Sequence, residues 1–309
     1  MKIGVAGTGA VGGYFGGLLK ESGNEVVFFV RGDNLKTFHK KGLTIESEAG
    51  KITIDGIFSN SYQSFSDIDL LLFCVKSTAT TEVATNILPY LKKDCLILTL
   101  QNGVDNEEIL AAILGRHRIL SAATYLQASV EDIGVVKQIG VPPRLVLGAL
   151  DPSLVEKVTH ISTLFNNSNI VTFPSSNILV IKWKKLLWNV TFNPLTAIIE
   201  SNIGTIFDDD ALKPIAIRIC KEAMAVARKL GFEIEENFHE TIIKQGQFAR
   251  NHQTSMLQDK LNGKAMELES ICGYIVKAGK QVNVDTPVLE TIYHLLIYQD
   301  KKRTQGVER

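Results

Sequence analysis

Long apolar runs are missing from this chain. No stretch approaches the roughly 20 residues that a membrane-spanning helix needs, so a transmembrane protein is not expected. There is no charged leader either. The chain enters a strand pattern at once with MKIGVAGTG, which makes the cytoplasm the expected location. Charge of one sign is also missing. The 33 basic and 33 acidic residues cancel, which excludes a general attraction to nucleic acid or to an anionic membrane and leaves room only for a local basic pocket. Cysteine is scarce. Cys74, Cys95, Cys220 and Cys272 form no C-x-x-C pair, and no histidine cluster accompanies them. They read as reduced, mostly buried thiols rather than as a disulfide framework or a zinc site. Internal repeats and low-complexity segments are absent.

What is present fits a globular protein of two domains. The chain has 309 residues, 45% of them hydrophobic and 21% charged, enough for two separate cores. In the first half short apolar runs alternate with helical patterns. KIGVA, EVVFFV, DLLLFCV and CLILTL read as buried strands, and TTEVATNILPYL as a helix between two of them. Such alternation predicts βαβ units and a parallel sheet. LTIESEAGKITIDG, with alternating runs on either side of Ala49-Gly50, predicts a hairpin insertion. GVVKQIG and RLVLGAL add short strands, SLVEKVTHISTLFNN a helix, and NIVTF a last strand. After Pro174 the strand signal stops. ILVIKWKKLLWNVTF, LKPIAIRICKEAMAVARKLG and TPVLETIYHLLIYQ carry helical periodicity. The expected fold is therefore α/β: a Rossmann-type dinucleotide-binding domain over 1–174, then an all-α domain over 175–309. The charged tail DKKRTQGVER is expected to fray.

GTGAVG, comprising Gly7, Thr8, Gly9, Ala10, Val11 and Gly12, follows a strand and opens a helix. The first glycine permits a tight turn, the second lets a pyrophosphate approach the backbone, and the third lets helix and strand pack closely. The helix N-terminus offers amides and the positive end of its dipole to the anion. The competing reading is a glycine-rich turn without a ligand. At the end of the second strand, where an acidic residue would take a ribose hydroxyl, FFVRGDN places Arg31. A cation there suits the 2′-phosphate of NADP, while Asp33, two residues on, keeps NAD open. Two more strands end in polar residues, LLLFCVKST in Lys76 and LILTLQNGVDN in Gln101, Asn102 and Gly103. Ligands of open α/β sheets sit beyond such ends, so Lys76 is a candidate for an anionic group and Asn102 for cofactor or substrate.

WKKLLWNVTFNP, Trp183 to Pro194, is an apolar helix with a polar stripe. Lys185, Asn189 and Asn193 are spaced by four and form a slanted column about 12 Å long on one face. A solvated face would use Lys, Glu and Arg. Asparagine is a poor residue inside a helix, because its side chain competes for backbone bonds. Two of them here suggest amides that bind something, against the plainer reading of a chance polar face. Asn193-Pro194 is expected to bend or interrupt the helix.

In order along the chain, GTGAVGGYFG, VR after the second strand, CVKS, LQNGV, the Lys-x3-Asn-x3-Asn-Pro-Leu-Thr helix and TSMLQD resemble the ketopantoate reductases (2-dehydropantoate 2-reductases). The resemblance covers almost the whole chain. It implies a Rossmann domain followed by a helical domain, an active site in the cleft between them, and NADPH-dependent reduction of 2-dehydropantoate to (R)-pantoate in pantothenate and coenzyme A biosynthesis. It implies that Lys185 donates a proton to the substrate carbonyl and that Glu267 assists substrate binding and organises Lys185. Asn189, Asn193, Ser255 and Asn102 would bind substrate. Gly7, Thr8, Gly9, Ala10, Val11, Gly12, Arg31, Lys76 and Asn102 would hold NADP(H). Thr254 and Met266 stand where serine and threonine are frequent in the family, and Asn202 is a loose equivalent of another polar contact. These departures bear on the choice of 2-oxo acid, and another branched 2-oxo acid or a non-catalytic NADP-binding sensor are the alternatives. The expected partners are a small-molecule 2-oxo acid and at most a second copy in a homodimer, with no nucleic acid, membrane or metal.

Elementary chemistry agrees with these roles. Carbonyl reduction builds negative charge on oxygen, which a cation and hydrogen-bond donors stabilise. A nearby carboxylate favours the charged lysine, whereas burial opposes it. His160, His239, His252 and His294 fall on no catalytic position, and His252, three residues before Ser255, would at most rim the pocket. Trp183 and Trp188 read as packing residues. Asp259 reads as a brace or helix cap, and DDDALKP, from Asp208, as a helix start with acidic caps. A divalent metal at that acidic run is the remote alternative.

Overall fold

The structure, a computed structural model, describes residues 1–306. The chain divides into two compact units, Met1–Ile178 and a second from Leu179 on. The strands are β1 (Lys2–Ala6), β2 (Glu25–Phe29), β3 (Leu43–Ser47), β4 (Gly50–Ile54), β5 (Ile57–Ser59), β6 (Leu70–Phe73), β7 (Leu96–Thr99), β8 (Ile119–Tyr125), β9 (Ala128–Asp132), β10 (Val135–Gln138), β11 (Arg144–Ala149) and β12 (Val171–Pro174). The first unit carries helices α1 (Ala10–Glu21), α2 (Asn34–Lys41), α3 (Thr80–Ile87), α4 (Asn106–Leu110) and α5 (Val155–Asn167). From α6 (Ile178–Ile199) on, the structure is helical: α7 (Ile203–Asp208), α8 (Leu212–Lys229), α9 (Phe238–Phe248), α10 (Ser255–Leu261), α11 (Tyr274–Gln281) and α12 (Pro287–Gly306). The class is α/β followed by all-α.

The main sheet has eight strands in the order β12-β11-β8-β7-β6-β1-β2-β5. Every neighbouring pair is parallel except β8 and β11. Strands β1, β2, β6 and β7 read as unbroken apolar runs because helices cover both sheet faces. Strand order reverses at β1, which has β2 on one side and β6 on the other. Ala6 pairs with Phe29 and with Phe73, and Phe73 with Thr99, so four strands end level and their following loops open at one edge. That edge is the topological switch point, where such sheets bind ligands.

The predicted hairpin is β3–β4, and it belongs to a second sheet in the order β4-β3-β10-β9. The sequence pattern did not show this sheet. GVVKQIG announces a strand, but its parallel partner is β3, about ninety residues earlier, and alternation alone names no partner. Helix α1 is pressed between the two sheets, which explains its VGGYFGG run. A Cβ on Gly12 would stand 2.2 Å from the Gly7 carbonyl oxygen, and one on Gly16 2.7 Å from Val5 of the main sheet. On the adjoining face a Cβ on Gly13 would stand 2.9 Å from Val136, and one on Gly17 2.5 Å from Ile45, both of the small sheet.

In the second unit α6 runs unbroken through Pro194, so the expected interruption does not occur. The proline removes one ladder donor, but the helix is held by its surroundings: Leu186, Leu187, Val190, Phe192, Leu195 and Ala197 are all buried. Thr196 donates from its hydroxyl to the Phe192 carbonyl in the same turn. Helix α8 packs against α9, α11 and α12. The Glu222 carboxylate of α8 accepts from the amides of Val288 and Leu289, closing the first turn of α12. The tail expected to fray continues α12 to Gly306; its last three residues, 307–309, lie outside the described residues. Among the described residues no helix is long and apolar enough to cross a membrane.

Two glycine substitutions should separate backbone from side-chain crowding. Alanine gains about 1 kcal/mol over glycine in helix propensity, while overpacking costs about 1–3 kcal/mol. Gly17→Ala meets methyl ends that can turn away and should change stability by less than about 1 kcal/mol. Gly12→Ala meets a backbone oxygen and should cost about 2–3 kcal/mol. Urea unfolding of the two variants checks the difference.

Candidate active site

The loops at the edge of the main sheet and the first turn of α1 carry the residues expected from the sequence to hold a dinucleotide. Gly7 has a φ of +99°, open to glycine alone without strain. Beside Gly9 a Cβ would meet nothing within 4 Å, so its backbone faces open space. The first turn of α1 has no acidic side chain, and its amides lack intrahelical acceptors. An uncharged, open helix start of this kind fits a pyrophosphate. The Thr8 hydroxyl donates to the Phe29 carbonyl at 2.9 Å and so ties this loop to the end of β2. Arg31 follows two residues later and is exposed, while Asp33 is held loosely by Lys36 at 3.7 Å. Lys76 and Asn102 leave β6 and β7 at the same edge.

A buried network sets the last two loops. Gln101 donates through Nε2 to the Val75 carbonyl at 2.9 Å and to the Thr80 hydroxyl at 2.8 Å. The Thr80 hydroxyl donates to Asn106 Oδ1 at 2.7 Å, and Asn106 donates to the Asn102 carbonyl at 2.8 Å. Gln101 thereby links the segment around Lys76 to the backbone of Asn102. The sequence placed Gln101 at a strand end but offered no sign of this internal use.

In the second unit the polar stripe lies on α6. Asn189 and Asn193 are buried, and Lys185 is half-buried. Asn193 Oδ1 has no hydrogen-bond partner among the described residues, an unfilled acceptor of the kind that calls for an explanation. Although Lys185 keeps some exposed surface, protein crowds its amine enough for burial to lower its pKa to about 7. The positive charge of Lys182 lowers it further, and Glu267 opposes both. Burial therefore outweighs the carboxylate, a balance the sequence left open. Lys182, one turn ahead on α6 and 3% exposed, was not singled out by sequence pattern. A lysine beside a charged helix surface gives no sign of being buried.

Ser255 is exposed on the first turn of α10. Thr254 just before it is fully buried. Its hydroxyl accepts from the Leu257 amide at 3.3 Å and shares a 2.7 Å hydrogen bond with the Thr196 hydroxyl of α6. The cap of α10 is thus Thr254. Asp259, expected as a brace or cap, lies inside α10 and is not its cap. At the start of α8, Asp209 Oδ1 accepts from the amides of Ala211 and Leu212, and Asp208 pairs with Arg250. His252 stacks edge-on against Trp188, 5.6 Å between ring centres, and burial lowers its pKa. Trp183 is buried against Phe232 and Tyr274. All four cysteines are free thiols. Among the described residues no group of three or more His, Cys, Asp or Glu could hold a metal ion.

Residues 3–152 match the family model described as "Ketopantoate reductase PanE/ApbA", and residues 177–299 the one described as "Ketopantoate reductase PanE/ApbA C terminal". The chain is 32% identical over 288 residues to a 2-dehydropantoate 2-reductase of Pyrococcus horikoshii, covering 93% of this chain and 94% of that protein. It is similar in structure to a PanE/ApbA family ketopantoate reductase of Ralstonia eutropha, with a TM-score of 0.92, 27% identity and 98% and 100% of the two chains covered. A D-mandelate dehydrogenase solved with NADH and anilino(oxo)acetate shares the fold, with a TM-score of 0.91 at 24% identity and 98% and 100% coverage.

Two substitutions test how the stripe is built. Asn193→Leu removes a buried acceptor that has no partner and should leave stability unchanged or raise it by about 1 kcal/mol. Thr254→Val removes both the cap and the bond to Thr196 and should lower stability by about 1–2 kcal/mol. Chemical unfolding of each variant checks the opposite signs.

Proposed function

Because the chain belongs to the ketopantoate reductase family, a family of oxidoreductases, we propose that it reduces 2-dehydropantoate to (R)-pantoate with NADPH, in pantothenate and coenzyme A biosynthesis. The observation that carries this reading is Lys185: a lysine brought to about pKa 7 by burial and a second cation, in line with two buried amides and opposed by Glu267. Reduced nicotinamide, when bound, supplies the hydride. The protein's share is to hold the 2-oxo acid and to deliver a proton to its carbonyl oxygen.

Lys185 serves as that donor. As charge builds on the oxygen, its ammonium first stabilises the charge and then gives up the proton. A donor with a pKa close to the working pH combines a protonated resting form with easy release. Glu267 keeps a fraction of Lys185 charged against the pull of burial. Asn193 Oδ1 offers its unfilled acceptor to a hydroxyl of the substrate, Asn189 adds a second amide, and the Ser255 hydroxyl takes the carboxylate. In the first unit Arg31 would hold the 2′-phosphate of NADPH, the segment from Gly7 to Gly12 would hold the pyrophosphate, and Lys76 and Asn102, at the same sheet edge, would complete the cofactor site. The reading places the enzyme in the cytoplasm, as a monomer or a homodimer.

A second reading keeps this machinery and changes the substrate to another branched 2-oxo acid. Thr254 and Met266, at positions where the family often has serine and threonine, favour it, and a D-mandelate dehydrogenase of the same fold is consistent with it.

The deciding assay follows NADPH oxidation with 2-dehydropantoate beside a panel of 2-oxo acids, repeated with NADH. Turnover with 2-dehydropantoate and NADPH is expected; turnover only with another acid selects the second reading. NADPH binding without any turnover would mean a sensor. Lys185→Ala should lower turnover roughly 10²–10⁴-fold and leave NADPH binding in place. Arg31→Ala should raise the KM for NADPH roughly 10–100-fold and leave NADH unchanged. The pH profile has a definite sign. Reduction needs protonated Lys185, so its rate should fall as pH rises through about 7, while oxidation of the hydroxy acid should rise over the same range.

A further inference from the structure

Lys182 belongs to none of the motifs used above. It is 3% exposed, on α6, one turn ahead of Lys185. Residues three apart on a helix are neighbours on one face, with Cβ atoms about 5–6 Å apart. The helix itself fixes that spacing, and the burial of Trp183, Leu186, Leu187 and Val190 holds α6 in place. Burial also denies the Lys182 ammonium the freedom of a surface lysine, which would swing into solvent.

We propose that Lys182 is a positioning residue that acts through Lys185: its fixed positive charge makes the Lys185 proton easier to release to the substrate oxygen. The inference rests on the reading of Lys185 as proton donor and says what adjusts it. A like charge held close in a poorly hydrated site disfavours the protonated form of its neighbour. A second cation beside a desolvated amine is a known way to activate a lysine.

The other charges of this unit fit that assignment. Lys182 from its own helix and Glu267 from the segment ahead of the π-helical turn Glu269–Gly273 both act on Lys185, and the effect of Lys182 is the larger. Lys184 turns to Glu235 at 2.7 Å and to the Phe238 ring. Lys260 is engaged by Glu200 at 2.9 Å and by the Ala197 carbonyl. Glu269 pairs with Lys277 and Tyr293. Asp259 is buried within α10. Removal of Lys182 should therefore change Lys185 more than removal of Glu267.

The test uses the full chain with Lys182→Met and Lys182→Arg. The first readout needs no substrate: the pH dependence of acylation of the Lys185 amine, read by peptide mass spectrometry. The wild-type midpoint is expected near 7. Lys182→Met should raise it by about one unit, and Lys182→Arg, which keeps the charge, should return it toward the wild-type value. The second readout is the pH at which 2-oxo acid reduction declines, which should move up equally while KM at low pH stays the same. An unmoved or lowered midpoint overturns the proposal. So does a rise in KM with no change in the pH profile, which would make Lys182 a substrate contact. A wild type that reduces no 2-oxo acid would remove the proposed function, yet the acylation midpoints would still decide the role of Lys182. Thermal unfolding checks that Lys182→Met is folded; should it not be, Lys182→Gln takes its place in both readouts.

Discussion

Desolvation of one amine, that of Lys185, is the constraint around which the second unit is arranged. Water stabilises an ammonium more than a protein interior does, so burial drives the group toward its neutral form. Here burial is the largest influence, Lys182 adds to it, and Glu267 resists. The rest of α6 has to hold the amine in that setting. Leu186, Leu187, Leu195, Val190 and Phe192 are buried on the flanks, so the polar face cannot roll away into solvent. That face keeps an unpaired acceptor on Asn193, and a proline follows it inside the helix. Each is unfavourable for folding alone, and local violations of this kind gather where a protein builds a site.

The first unit works by close approach rather than by charge. Helix α1 is squeezed between two sheets, and glycines on two adjoining faces give both sheets room. The helix start that results is held at the point where strand order reverses. Level strand ends then bring the loops after β1, β2, β6 and β7 to one edge. The buried chain of Gln101, Thr80, Asn106 and the Asn102 carbonyl couples two of those loops. On the proposed function the two units carry complementary chemistry: one would offer amides and a cation to a dinucleotide, the other an amine of lowered pKa and neutral amides to a small oxo acid.

Much of this was legible in the residues. Strands covered on both faces read as unbroken apolar runs, and α6, α8 and α12 announced themselves by period, whereas the shorter α7, α9, α10 and α11 did not. The glycine loop and the stripe of Lys185, Asn189 and Asn193 stood out because each breaks the local rule for its element. What escaped the sequence depends on partners far away along the chain. The pairing of β10 with β3, the bond between Thr196 and Thr254, and the burial of Lys182 involve no local pattern. Helix α2 was not foreseen, since its short, polar sequence has one buried residue, Phe38. Pro194 misled in the other direction: its local preference to break a helix was overruled by burial on every side of α6.

The sequence by itself determined the main strands, the α/β-then-α class, the glycine loop at the head of α1 and the residues that are candidates for the site, because hydrophobic periodicity and glycine placement are local properties of the chain. Tertiary structure alone decided the second sheet, the continuity of α6 through proline, the capping of α10 and the proton affinity of Lys185. Those depend on how much water is excluded and on which charges remain nearby, and both are set by segments distant in sequence that meet only when the chain has folded.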